Sequence, residues 1–96
     1  MLVVVTYDVN TEKAAGRRRL RRVARACLDF GQRVQKSVFE CLVRDVDWVE
    51  LRGRLLKEMN TKEDSLRFYF IDEAARERIE HHGLGKPNDL DGPLVI

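Results

Sequence analysis

The sequence lacks the features that define several large classes of protein. No apolar run approaches the length that a membrane-spanning helix requires. A signal peptide has a basic segment before its apolar stretch, and the start of this sequence has none before its short apolar stretch. The chain also has no glycine-rich phosphate-binding loop and no set of nucleophile, histidine and acid typical of a hydrolase. We therefore expect a cytoplasmic protein that binds no membrane.

Cysteine is scarce, and its two copies do not form a metal-binding pattern. Cys27 lies in a helical pattern and Cys41 in a strand pattern, each among apolar neighbours. A disulfide, a metal pair and a nucleophile are the alternatives, but in a reducing compartment two small core residues are favoured. His81 and His82 are adjacent and point apart in a helix or a strand, so a surface or packing role is expected.

Charge is abundant and unevenly distributed over the 96 residues, a length typical of one domain. Residues 1–36 hold nine Lys and Arg against three Asp and Glu, a balance of +6, whereas residues 37–96 hold nine against thirteen, a balance of −4. Such asymmetry predicts one basic face, which could attract phosphates or simply be a solvated helix.

The first third of the chain predicts a strand followed by an amphipathic helix. Residues 2–9 form a nearly continuous apolar run that ends at Asp8, and Asn10 or Thr11 could cap the helix that follows. A buried stripe at helical spacing comprises Leu20, Val23, Ala24 and Cys27. The arginines Arg18, Arg22 and Arg25 lie opposite this stripe, Arg17 and Arg19 flank it, and Gly31 is a plausible stop.

The rest of the chain predicts further strands around a second helix. Residues 33–43 favour extended structure with a bulge or tight reversal near Ser37. Asp45 or Asp47 could cap a helix whose buried face comprises Trp48, Leu51, Leu55 and Met59. Residues 65–71 alternate as a strand, residues 73–82 could form a helical turn, and the apolar residues 93–96 predict a strand on a sheet edge of the same or another subunit.

This order of elements matches an α+β fold, the ferredoxin-like βαββαβ sandwich. We assign residues 1–82 to that domain and residues 83–96 to a C-terminal tail and strand that packs on a partner subunit. Two helices on one side of an antiparallel sheet leave the other face open, and a homodimer that stacks two such faces would cover it.

Asp8 is the residue with the clearest chemical potential. A carboxylate at a strand end can hold a hard divalent cation such as Mg²⁺, which keeps several waters and needs few protein ligands. Capping of the following turn is the alternative. One aspartate per chain makes a sparse site, but a two-fold dimer would supply two. Arg17, Arg19 and Arg33 could bind phosphate oxygens.

Three motifs, in order, resemble those of a known family. They are Tyr-Asp-Val at 7–9, Arg-Arg-Arg-Leu at 17–20 and Arg-Val-Gln-Lys-Ser-Val-Phe at 33–39. Together, at this chain length, they resemble the CRISPR-associated Cas-two family of prokaryotic immunity. The segment Asp-Ser-Leu-Arg-Phe-Tyr at 64–69 and the tail at 86–94 are similar to the branch of type I systems, subtype I-C.

The resemblance implies a ferredoxin-like homodimer with an additional C-terminal strand exchanged between subunits. It implies a Mg²⁺ or Mn²⁺ ion held at the interface by Asp8 of both subunits. The family positions tied to activity fall on Arg17 (or Arg18), Arg19, Arg33 and Phe39, and Tyr7 is a further family position. The set expected to contact nucleic acid is Arg17, Arg18, Arg19, Arg22, Arg25 and Arg33.

Two functions are compatible with the resemblance. The first is a magnesium-dependent endonuclease that cuts RNA or double-stranded DNA, with Asp8 as the catalytic metal ligand. The second is a non-catalytic subunit that bridges copies of the Cas-one integrase and binds spacer DNA during CRISPR adaptation. A ferredoxin-like ligand-sensing module would leave the six arginines of one helix unexplained.

Overall fold

The protein, seen in a computed structural model that describes residues 1–85, is an α+β sandwich. Its elements, in chain order, are β1 (Leu2–Asp8), α1 (Ala14–Leu28), β2 (Gly31–Gln35), β3 (Val38–Leu42), α2 (Asp45–Glu58), β4 (Ser65–Ile71) and the short α3 (Glu73–Arg76). The four strands form one antiparallel sheet in the order β2-β3-β1-β4. This is the predicted ferredoxin-like topology, with both long helices on one face.

The core lies between the sheet and the two helices, as the apolar patterns predict. The stripe on α1 is buried, and so are Leu51 and Leu55 of α2, whereas Trp48 and Met59 are partly buried against the same cluster. The Trp48 ring meets the rings of Phe68 and Phe70 edge-on, at 4.8 and 5.3 Å between centroids. Such contacts attach α2 to β4.

Both cysteines are buried and free, which confirms them as core residues. The Cys41 thiol donates a hydrogen bond to the Cys27 carbonyl at 3.6 Å. The hydrogen bond with Cys41 and burial raise the pKa of the Cys27 thiol. The protonated form is therefore favoured, which makes Cys27 a poor nucleophile.

The start of α1 differs from the expectation. The helix begins at Ala14, and its N-cap residue Lys13 makes no side-chain cap. Asn10 instead accepts a hydrogen bond from the Glu12 amide at 2.9 Å, so it stabilises the turn that precedes the helix. Gly16 allows this turn to lie against the helix, because a Cβ there would stand 1.8 Å from the Asn10 carbonyl oxygen.

Gly31 is not a helix stop, because α1 already ends at Leu28 with Asp29 as its C-cap. Gly31 opens β2, where a Cβ would lie 1.9 Å from the Glu40 carbonyl oxygen of β3. The predicted reversal near Ser37 is confirmed by the turn between β2 and β3, with a register shift between Arg33 and Gln35.

The second half of the chain agrees more closely with the predictions made from the sequence. Asp47 lies in the first turn of α2 and helps to cap it, since its carboxylate accepts a hydrogen bond from the Arg44 amide at 3.1 Å. The helical turn expected over residues 73–82 is confined to α3. His81 and His82 contact different partners, the Gly83 carbonyl and Glu80, as expected of a surface pair. The predicted C-terminal strand lies outside the described residues.

Candidate functional site

Asp8 lies at the end of β1 on the sheet face opposite the helices. Along β1 the side chains of Val3, Val5 and Tyr7 enter the core with α1 and α2. Because strand side chains alternate, Asp8 and Thr6 face the other side. Asp8 is exposed and pairs with Ser65 in the β1–β4 register. Within residues 1–85 its carboxylate has no hydrogen bond or ion pair, so the capping alternative finds no support.

A shallow hollow of about 430 Å³ is lined in part by Asp8, and we call it the Asp8 hollow. Its polar lining includes the hydroxyl-bearing residues Ser37 and Ser65, the guanidinium of Arg67 and the phenol of Tyr69. The hollow thus combines one acid, one base and several hydroxyl groups.

The donor set of the Asp8 hollow fits one kind of metal ion. Residues 1–85 contain no cluster of three or more His, Cys, Asp or Glu that could enclose a metal. A zinc centre of histidines and cysteines therefore does not fit. A hydrated Mg²⁺ or Mn²⁺ ion does fit, since Mg²⁺ retains several waters and binds through one or two carboxylates.

A buried cluster fixes the strand end that carries Asp8. Asp64 immediately precedes Ser65, and its side chain has no exposed surface. Its two carboxylate oxygens accept from Arg19 at 2.8 and 2.9 Å, and it also accepts from the Tyr7 hydroxyl and the Asn60 amide. We call these four residues the Asp64 cluster. It connects α1, β1 and the segment before β4 beside the last β1–β4 pair.

The Asp64 cluster changes the acidity of its members. Burial opposes ionisation of Asp64, but hydrogen bonds from Arg19, Tyr7 and the Asn60 amide outweigh it and lower the pKa of the carboxyl. Burial and the Asp64 hydrogen bond raise the pKa of Tyr7 to about 12. The hydrogen bond to Asp64 also raises the pKa of the Arg19 guanidinium. The cluster is therefore an ionised Asp–Arg pair with a protonated tyrosine at neutral pH.

Arg17 and Arg33 make local contacts to backbone carbonyls. Arg17 donates from Nη1 to the Thr11 and Glu12 carbonyls at 2.9 and 3.0 Å, which braces the segment between β1 and α1. Arg33 donates from Nε to the Lys36 carbonyl at 2.7 Å. Its guanidinium also lies 5.4 Å from the centre of the buried Phe39 ring. Both arginines remain exposed, so a ligand can still reach their free N–H groups.

A second hollow, of about 670 Å³, lies along α1 and is lined mainly by arginines. We call it the α1 arginine surface, comprising Arg18, Arg21, Arg22, Arg25 and Arg33. Asp29 is the acid of the lining, and it is paired with Arg54 at 2.8 Å. Arg22 approaches Glu58 only to 3.9 Å. The surface is therefore strongly positive, as a phosphate-binding surface must be.

The structure separates two features that the sequence places close together. α1 covers the core face of the sheet, whereas Asp8 faces the opposite side. Of the predicted arginines, Arg19 is turned into the Asp64 cluster, and Arg18, Arg22, Arg25 and Arg33 belong to the α1 arginine surface. The structure thus brings Tyr7 and Arg19 together, but it does not bring the exposed helix arginines to Asp8.

Sequence reasoning missed three residues of these sites: Asp64, Arg67 and Arg21. Asp64 and Arg67 reach their sites only through the β1–β4 register, which joins residues more than fifty positions apart. Arg21 carries a signal in the sequence, because it is one of the six arginines of the helix. It lines the same two hollows as Arg33, a placement that the helix pattern alone does not give.

Comparison with known proteins assigns the family. The family model described as CRISPR associated protein Cas2 (Cas-two) matches residues 1–79. The chain belongs to the Cas2 family. The fold agrees, since the crystal structure of Streptococcus pyogenes Cas2 at pH 6.5 superimposes with a TM-score of 0.80 at 52% identity, covering 86% of this chain and 100% of that one.

Curated members of the Cas2 family are similar to this chain over its whole length. A protein of Chlorobaculum tepidum named CRISPR-associated endoribonuclease Cas2 is 59% identical over 96 residues, which is 100% of both chains. A protein of Halalkalibacterium halodurans named CRISPR-associated endonuclease Cas2 is 43% identical over the same length and coverage. In residues 1–85, every helix is too short or too polar to cross a bilayer.

Proposed function

We propose that this chain is a metal-dependent endonuclease of CRISPR adaptation that acts on RNA or double-stranded DNA. The observation that carries the proposal is the Asp8 carboxylate, which is exposed and unpaired within residues 1–85 and lies at a rigidly held strand end. The names of the relatives, endoribonuclease and endonuclease, support the reaction class. Asp8 would hold the ion, and a bound Mg²⁺ or Mn²⁺ supplies an activated water and neutralises phosphate charge.

The other residues of the site bind and orient. The Asp64 cluster holds the last pair of β1 and β4 in place, so that Asp8 does not need to be ordered when the substrate arrives. The α1 arginine surface binds the nucleic-acid backbone, through charge rather than sequence. Arg17 and Arg33 hold the loops at the edges of that surface.

The proposed working form is a homodimer joined through the open sheet faces, with the Asp8 hollow open at the edge of the joint so that substrate can enter it. Within residues 1–85 no helix covers this face, and each face displays Asp8 at the same strand end. Two-fold symmetry would bring a second Asp8 toward the first and double the number of carboxylates. The α1 arginine surfaces would then face outward, away from the joint between subunits.

The nuclease proposal is tested by cleavage of labelled RNA and duplex DNA with Mg²⁺, Mn²⁺ or a chelator. Wild-type protein and the Asp45→Asn control, which removes an exposed acid of α2, should cut equally. Asp8→Asn and the chelator should each abolish cutting. Cutting that survives both would contradict the proposal.

A second function, architectural support of spacer DNA, is favoured by a separate observation. The α1 arginine surface lies on the opposite side of the sheet from Asp8, so nucleic acid can bind there without reaching the acid. In this role the dimer bridges copies of the Cas-one integrase and holds duplex DNA between them. Spacer acquisition measured in cells with Asp8→Ala separates the roles: retained acquisition assigns the support to the arginines alone, and loss indicates a shared metal function.

A further inference from the structure

We propose that Arg67 is the phosphate-binding arginine of the Asp8 hollow, and that a single phosphodiester group lies between Arg67 and Asp8. Arg67 lies in the segment at 64–69 that resembles the type I branch, but it is not among the residues expected to bind a metal or nucleic acid. This inference rests on the proposed metal site at Asp8 and specifies which side chain of this chain receives the substrate there.

The register of the sheet places Arg67 and Asp8 on the same face. Asp8 is opposite Ser65, and Thr6 is opposite Arg67, so Asp8 and Arg67 are diagonal neighbours on adjacent strands. Residues directly opposite each other in an antiparallel pair share a face, and diagonal neighbours lie roughly 7–8 Å apart. Both residues line the Asp8 hollow.

Arg67 and Asp8 carry opposite charges and do not pair with each other. Within residues 1–85, Arg67 has no carboxylate within ion-pair distance, and neither does Asp8 have a cation. The Arg67 guanidinium instead donates from Nη1 to the Tyr69 hydroxyl at 3.0 Å. Tyr69 thereby orients one edge of the guanidinium and leaves its other N–H groups available. Both charged groups line one hollow, where a phosphate group could bind between them.

The charges in the hollow favour a cation from the protein beside the proposed metal ion. An anionic phosphodiester beside the Asp8 carboxylate would be repelled in the absence of positive charge. Arg67 is the only basic residue among those that line the Asp8 hollow within the described part of the chain. The α1 arginine surface lies on the other side of the sheet, and Arg19 is turned into the Asp64 cluster. The planar guanidinium can donate two parallel hydrogen bonds to phosphate oxygens.

The experiment uses a dinucleotide, which has one phosphodiester group and is too short to cover the α1 arginine surface and the hollow together. Mn²⁺ binding is measured first by electron paramagnetic resonance. The broadening of the dinucleotide ³¹P signal by bound Mn²⁺ then gives the affinity for a phosphate beside the metal. Four proteins are compared: wild type, Arg67→Met, Arg67→Lys and the control Arg52→Met, which removes an exposed arginine of α2.

We expect Arg67→Met to weaken dinucleotide binding about 10- to 100-fold, the loss typical of charge-assisted hydrogen bonds, with Mn²⁺ affinity unchanged. Arg67→Lys keeps the positive charge but not the two parallel N–H donors, so it should weaken dinucleotide binding less than Arg67→Met does. Arg52→Met should match wild type. In the cleavage assay, Arg67→Met should raise KM, whereas a merely structural role would lower the melting temperature and leave the KM of the folded fraction unchanged.

The inference and the proposed function fail in different ways. If Arg67→Met binds Mn²⁺ and the dinucleotide as wild type does, Arg67 is not the phosphate ligand, although the metal site stands. If Asp8→Asn binds Mn²⁺ as tightly as wild type, Asp8 is not the metal ligand and the proposed function falls first. If wild type binds Mn²⁺ without broadening the ³¹P signal, no phosphate lies beside the metal and the inference is overturned.

Discussion

The Asp8 hollow and the α1 arginine surface differ in almost every physical property. The hollow has one acid and one arginine, faces away from the helices, and lies beside a buried ionic cluster. The arginine surface has five guanidinium groups on an exposed helix and the strand beside it. A site with few, well-fixed groups suits chemistry, and a broad surface of like charge suits binding of a polyanion. The comparison teaches that, in the proposed function, cleavage and backbone binding take place on opposite sides of the sheet.

The largest expected effect is on nucleic-acid cleavage at the Asp8 hollow. Asp8→Asn removes the carboxylate and should lower kcat by roughly 10³-fold or more, because a catalytic metal contributes several kcal/mol of transition-state stabilisation. Binding of duplex DNA to the same variant, measured by fluorescence anisotropy, should remain within twofold of wild type. A parallel loss of binding would break the separation between the two surfaces.

The next effect concerns the Asp64 cluster, which joins the two surfaces through Arg19 of α1 and Tyr7 of β1. Asp64→Asn replaces a buried ionised acceptor with a neutral amide, so Arg19 loses the carboxylate that accepts two of its hydrogen bonds. We expect the free energy of unfolding to fall by about 2 kcal/mol, which corresponds to a melting temperature lower by roughly 10 °C. Calorimetry measures both values.

Asp45→Asn is the matched control for that experiment, since it removes the same charge from an exposed residue of α2. It should leave the melting temperature close to that of wild type. If the melting temperature of Asp64→Asn equals that of the control, the Asp64 cluster does not stabilise the strand end. The two surfaces are then not rigidly connected.

A smaller effect is expected on the binding of duplex DNA to the α1 arginine surface. Removing two charges by Arg18→Gln/Arg22→Gln should weaken duplex binding and reduce the slope of log K against log salt by about 1.8, or 0.9 for each lost phosphate contact. The control pair Arg52→Gln/Lys57→Gln, on α2, should leave the slope unchanged. An unchanged slope in the first variant would place the contacts elsewhere.

The smallest effect is an alkaline change in stability from Tyr7. Its pKa is raised to about 12 in the folded protein, so the neutral phenol is favoured by folding. This contribution is complete below the unfolded value of about 10 and is lost as pH rises through 12. Of the two tyrosines, one should ionise late when absorbance at 295 nm is followed.

Two substitutions identify which tyrosine ionises late. Tyr7→Phe should remove the late step and flatten the alkaline loss of stability, whereas Tyr69→Phe should keep both. A late ionisation step that persists in Tyr7→Phe would belong to Tyr69 and would contradict this prediction. The Asp64 carboxyl behaves in the opposite sense: its pKa is lowered, so its contribution is lost as pH falls through the folded value.

The fold was readable from the sequence because its signals are local. The apolar stripe on α1 and the alternation over residues 65–71 report burial one element at a time, and both match the structure. The start of α1 was not predicted, because the capping residue types at Asn10 and Thr11 precede the observed N-cap, Lys13, and Asn10 stabilises the preceding turn instead.

The candidate site was only half readable, because its composition depends on register. Asp8 stands out by position alone, but Asp64 and Arg67 join it only when β4 pairs with β1. The arginines of the helix were identified as a group, yet Arg19 differs from its neighbours because it faces a buried carboxylate rather than solvent. The subtype I-C resemblance, the Cas-one partner, the homodimer and the exchanged strand stay predictions.

The most direct test of the separation is a double-mutant cycle on duplex DNA binding. It combines Asp8→Asn with Arg18→Gln/Arg22→Gln and measures the dissociation constant of each protein at one salt concentration. Groups on opposite sides of the sheet should act independently, so we predict a coupling energy within about 0.5 kcal/mol of zero. A coupling energy above about 1 kcal/mol would mean that Asp8 and the arginines hold the same stretch of nucleic acid, and it would contradict the account.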